Sequence, residues 1–93
     1  MLELLGDGPG RVLELGFGGV HAEPLRLAGF EVVVVEPNPA HRAGAIERAG
    51  PVLEAPPQGR FDAVVAPAGA DIAGIDTERI VLVARDGSVT LLG

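Results

Sequence analysis

The chain has no cysteine, lysine, tryptophan or tyrosine among its 93 residues. Each absence removes a class of function. Without cysteine there is no disulfide staple, no thiolate zinc site and no sulfur nucleophile, and His21 and His41 are the two imidazoles left to hold a metal. Metal chemistry is therefore not expected. Without lysine, the positive charge comes from seven arginines spread from Arg11 to Arg85, set against thirteen acids for a net charge of −6. A phosphate backbone would be repelled rather than steered. With aromatics at 3% (Phe17, Phe30, Phe61) there is also no platform on which bases stack, so a nucleic-acid partner is not expected. No apolar run approaches the roughly 20 residues that span a bilayer. Met1–Gly10, MLELLGDGPG, is acidic and broken by Gly and Pro where a secretory signal would be basic and then apolar. The expectation is a cytoplasmic protein with no membrane partner.

What is present is apolar: 47% hydrophobic residues and a mean hydropathy of +0.35 argue against disorder. A chain of this length has room for one modest core, so residues 1–93 are expected to form a single domain. Met1–Leu5 reads as a short lead-in before the Gly and Pro cluster that ends at Gly10. Val12–Leu15, after Arg11, is a short apolar run bounded by glycines, the pattern of a central strand. Gly16–Gly19 is a tight loop. Val20–Ala28 is the expected first helix, with Pro24 tolerable only in its first turn and Gly29 closing it. Glu31–Glu36 is the clearest strand, because four consecutive valines fit a pleated surface buried on both sides and fit a helix poorly. Asn38 as N-cap and Pro39 at the first helical position open a second helix over Ala40–Ala49, closed by Gly50. Pro51–Glu54 is a third strand, Ala55–Arg60 a loop and Phe61–Ala66 a fourth strand. Pro67–Ile75 holds at most one weak helical turn. Arg79–Ala84 and Ser88–Leu92 flank Asp86-Gly87 and read as a hairpin; the rival is a helix over Asp76–Ala84, against which the Ile-Val-Leu-Val run argues.

Strands alternating with helices at this spacing make βαβ units and hence a parallel sheet. Ligands of such sheets sit off the carboxyl ends of the strands. Gly16–Gly19, Glu36, Glu54 and Ala66-Pro67 occupy those positions. Glycines there let backbone approach a ligand, and Glu36, 20 residues after Gly16, is placed to accept hydrogen bonds from both hydroxyls of a ribose. A dinucleotide site wants G-x-G-x-x-G, and His21 stands at the third glycine, so the pattern fails. Plainer roles exist for each residue: a carboxylate inside an apolar strand, as at Glu14, needs a partner such as Arg11 or a backbone cap. Glu36 and Glu54 suit solvated strand ends, Asp62 a turn, and the two histidines a surface.

Four segments taken together resemble the class I S-adenosylmethionine-dependent methyltransferases: Glu14-Leu15-Gly16-Phe17-Gly18 as an E-x-G-x-G motif, Val35-Glu36-Pro37-Asn38-Pro39, Glu54-Ala55, and Phe61-Asp62-Ala63-Val64-Val65 as F-D-x-V-V. The resemblance runs from Arg11 to about Pro67. It implies S-adenosylmethionine as cofactor. Gly16 and Gly18 would line its methionine part, with Phe17 and Gly19 in the same loop, and Glu14 would sit near the amine and sulfonium. Glu36 would hold the ribose hydroxyls and Glu54 with Ala55 would border the adenine, with Pro37 and Ala66 also among the cofactor-binding residues. The implied fold is a three-layer Rossmann-like domain with strand order 3-2-1-4, extended here by the C-terminal hairpin. No residue is identified as catalytic, and the chain lacks the leading helix and acceptor-binding insertions of that family. A homodimer is the expected way to supply the missing walls, since exposed sheet edges in so small a domain favour association. The alternatives are a non-catalytic module that works through self-association or partner binding, and an NAD-type binder.

Overall fold

The computed structural model describes residues 10–92. The lead-in expected at Met1–Leu5 lies outside them. The chain runs β1 (Gly10–Leu15), α1 (Ala22–Leu27), β2 (Phe30–Val35), α2 (Pro39–Ala49), β3 (Val52–Leu53), β4 (Arg60–Phe61), β5 (Ala63–Pro67), β6 (Asp76–Thr77), β7 (Ile80–Val83) and β8 (Val89–Leu92). Six strands form one α/β sheet in the order β3-β2-β1-β5-β7-β8, parallel except for β8. β1 and β2 pair along their whole length, from Gly10 with Phe30 to Leu15 with Val35. No helix among the described residues is long and apolar enough to cross a membrane.

Side chains alternate across this sheet as the period of two requires. Val12, Val32, Val34, Val65 and Val81 face the helices, where Ala22, Leu25 and Ala49 meet them. Leu13, Leu15, Val35, Val64 and Ala66 face the other way and are covered by Phe61, Ala70, Ile72 and Ile75. Glu14 falls on the helix face, between Val12 and the loop that follows β1.

Two expectations about architecture are corrected. The sheet order is not 3-2-1-4, because the run expected as one fourth strand is divided at Asp62. Arg60–Phe61 pairs with Asp76–Thr77 in a separate two-stranded ribbon, and Ala63–Pro67 enters the large sheet beside β1. The cause is Asp62 itself. Its Oδ2 accepts the Arg11 amide at 2.6 Å while its own amide donates to the Arg11 carbonyl at 2.8 Å, so a side chain stands in for a rung of the ladder. Regular alternation back from Val64 would turn Phe61 toward the helices. The break shifts the register by one and sends Phe61 into the opposite face, fully buried, with the Arg11 guanidinium 4.4 Å from its ring centroid.

The three-layer arrangement is likewise not found: both helices among the described residues cover one face. Successive right-handed crossovers from β1 to β2 to β3 put them there, and the reversal at β5 puts later connections on the other face. Among the described residues, that second face receives the ribbon and the segment 68–79, whose Gly69 and Gly74 sit at φ of +89° and +82°. The hairpin is present. Ala84 donates to the Ser88 carbonyl at 2.9 Å, and Asp86 Oδ1 accepts the Ser88 amide at 2.8 Å, which together with the Ser88 hydroxyl holds the Asp86 carboxyl below the usual range. No helix forms over Asp76–Ala84.

Candidate functional site

The loop after β1 is built on Glu14. This residue has no exposed surface, and its carboxylate accepts the Gly19 amide at 2.7 Å through Oε1 and the His21 amide at 2.8 Å through Oε2. Burial raises its pKa above the ordinary carboxylate value; the amide bonds from His21 and Gly19, and the charges of His21 and Arg26, pull the other way without cancelling it. Fastening Gly19 and His21 to Glu14 keeps the loop in turns as far as His21. α1 therefore begins at Ala22 rather than Val20, which leaves Pro24 within the first turn, where its missing amide costs no helical bond. Gly16 starts the loop at φ +80°, donating to the Val35 carbonyl at 2.9 Å. The Phe17 ring packs edge-on against His21 at 4.7 Å between centroids.

At the end of β2 the backbone of Glu36 donates to the Leu53 carbonyl at 2.9 Å, fixing it against β3. Its side chain is only 4% exposed. Oε2 accepts the Asn38 amide at 3.1 Å, and Oε1 accepts from no described residue. No buried side-chain nitrogen or oxygen among the described residues lacks a partner, and Oε1 lies 3.9 Å from where a Cβ on Gly18 would stand. Asn38 then caps α2, taking the Ala40 amide at 2.9 Å.

These elements enclose a cleft of about 460 Å³ lined by Gly16, Phe17, Gly18, Val20, Glu36, Ala40, His41, Gly44 and Arg48. Of the residues expected at the site, the structure brings Gly16, Phe17, Gly18 and Glu36 together. Six others stand apart. Glu14 and Gly19 are buried beneath the loop, Pro37 is exposed with its carbonyl held by Arg42 Nη2 at 3.1 Å, and Ala66 lies in the core of the opposite face. Glu54 and Ala55 are exposed, and Glu54 pairs with Arg42 Nη1 at 3.4 Å. That ion pair at the surface contributes about 0–1 kcal/mol.

The wall supplied by α2 went unforeseen. Ala40, Gly44 and Arg48 recur every four residues, which stacks them on one helix face, and two small residues ahead of a long cation form a trough for its side chain. Arg48 lies back along that trough: its Nη2 is 3.3 Å from where a Cβ on Gly44 would be, and its Nη1 donates to the Gly18 carbonyl at 2.6 Å. No family model matches the chain, and neither does any curated protein or solved structure. The functional reading therefore rests on the cleft.

Proposed function

We propose that the chain binds S-adenosylmethionine in this cleft and is a small methyltransferase-like module, with the adenosine ribose on Glu36. The supporting observation is the Glu36 carboxylate: it is withdrawn from solvent, yet keeps one oxygen open to the cleft beside the glycine loop. An oxygen on this wall that takes no bond from any described residue is placed to accept from a ligand, and ribose hydroxyls supply donors. The volume of about 460 Å³ lies in the range of small-ligand sites. When bound, S-adenosylmethionine supplies a methyl group on a cationic sulfur.

The loop also favours a cofactor without a diphosphate. Two of the loop amides that could cradle a pyrophosphate are spent here, since those of Gly19 and His21 both donate to the Glu14 carboxylate. A diphosphate would meet a loop short of two donors with an acid directly beneath it.

Calorimetric titration tests the proposal. S-adenosylmethionine and its demethylated product should both bind. Glu36→Ala should weaken each at least about tenfold, as expected for losing a hydrogen bond to a charged acceptor worth roughly 1.5–3 kcal/mol. Absence of binding at millimolar ligand, affinity unmoved by Glu36→Ala, or tight NADH binding in its place would sink it.

A second reading, a non-catalytic module that works through self-association, is favoured by one observation. β8 is the outer strand of the sheet among the described residues, carries no charge, and exposes Val89, Leu91 and Leu92 by 38%, 46% and 41%. Apolar, uncharged edge strands pair with other chains. Sedimentation should show a concentration-dependent dimer that Leu91→Lys converts to monomer, with stability changed by no more than about 0.5 kcal/mol as for an exposed position. A monomer at every concentration would remove this reading.

A further inference from the structure

Glu36 and Arg48 stand astride Gly18. A Cβ on Gly18 would be 3.9 Å from Glu36 Oε1 and 3.1 Å from Arg48 Nη1, so the two charged groups lie within about 7 Å of each other. They do not close on one another: the ion pairs among the described residues join Arg42 to Glu54 and Arg60 to Asp76 and Glu78. Arg48 commits Nη1 to the Gly18 carbonyl, while Nε and Nη2 meet no acceptor among the described residues. Both side chains line the same cleft. The cleft therefore carries, close together, a carboxylate acceptor and a guanidinium with two nitrogens unspent among the described residues.

We propose that Arg48 is the specificity-determining residue of the cleft, receiving an oxyanion on the ligand whose hydroxyl is held by Glu36. The proposal rests on the adenosine-binding reading above and adds what the nucleoside must carry. A guanidinium presents Nε and Nη2 as a fork that matches the two oxygens of a carboxylate or phosphate. Two loop amides are already committed, because Gly19 and His21 donate to Glu14. Among the residues lining the cleft, Arg48 carries the permanent positive charge. Two sources of oxyanion share this chemistry: the α-carboxylate of an S-adenosyl amino acid, and a phosphate ester on the ribose.

Calorimetric titration of the unmodified chain, Arg48→Gln and Arg48→Lys with three probes separates the cases. S-adenosylhomocysteine carries the carboxylate, adenosine 2′-monophosphate the phosphate, and 5′-methylthioadenosine the same nucleoside with no anion. The unmodified chain should prefer one anionic probe over 5′-methylthioadenosine by about tenfold or more, the usual scale for a hydrogen bond to a charged group. Arg48→Gln should erase that preference while leaving 5′-methylthioadenosine within about twofold, and Arg48→Lys should restore part of it. Preference for the phosphate probe alone would uphold the role of Arg48 and remove the S-adenosylmethionine reading. Equal affinity of the unmodified chain for all three would overturn the role of Arg48 and leave adenosine binding standing. A parallel loss of all three in Arg48→Gln would also overturn it, because Arg48 would then only hold the loop through Gly18. Binding of none of the probes would remove both proposals together.

Discussion

Gly19→Ala is expected to destabilise the chain by about 3–4 kcal/mol, lowering its melting temperature by roughly 15–25 °C. Two costs combine. Gly19 sits at φ +82°, where a side chain costs about 1–2 kcal/mol, and its Cβ would stand 2.7 Å from the Ala49 Cβ of α2, an overlap that adds about 1–3 kcal/mol. Gly74 separates the two. It has the same φ of +82° with nothing within 4 Å of the added carbon, so Gly74→Ala should cost only about 1–2 kcal/mol. Adding Ala49→Gly to Gly19→Ala should return about 1 kcal/mol or more as coupling between neighbours, since the obstructing methyl is then gone. Thermal unfolding of these three variants and of Ala49→Gly alone decides it. If Gly19→Ala costs no more than Gly74→Ala, the loop and α2 do not press together at Gly19. The cleft depends on that contact, because it brings the loop carrying Gly18 against the helix carrying Arg48.

The same contact explains how far the sequence led. The valines of β2, the Asn38-Pro39 start of α2 and the Asp86-Gly87 turn are local signals, and each element appears where those signals put it. The division at Asp62 is not local. It follows from Arg11, 51 residues earlier, whose amide binds the Asp62 carboxylate and so breaks a run that reads as one strand. Glu36 at the mouth of the cleft follows from strand-end position alone, whereas for Glu14 the sequence leaves a ligand and a backbone cap both open, and its two oxygens accept from loop amides. The sequence does say that a carboxylate in an apolar strand needs a partner; it does not say that the partners are amides five and seven residues ahead. Arg48 is legible only once Ala40 and Gly44 are known to share its helix face and Gly18 is known to lie across from it.

Glu14→Gln should destabilise the chain by about 2–3 kcal/mol at neutral pH and loosen the loop, because the replacement keeps one acceptor and turns an amide group against a backbone N–H that then goes unpaired. The pH dependence is the sharper test. Burial holds the Glu14 pKa above its ordinary value of 4.5 in the folded chain, so between 4.5 and the folded pKa the native state binds more protons than the unfolded one. The contribution of Glu14 is therefore fully present below about pH 4.5, falls as pH rises through the folded pKa and is flat above it. The other acids titrate in both proteins, so the difference between the unmodified chain and Glu14→Gln isolates this group. Denaturant unfolding from pH 4 to pH 8 should show the advantage of glutamate over glutamine shrinking as pH rises and then levelling. An advantage that grows with pH would mean that the amides of His21 and Gly19 outweigh burial and hold the carboxyl below its ordinary value. The loop would then be anchored by a stable anion rather than by a carboxylate kept charged against its surroundings.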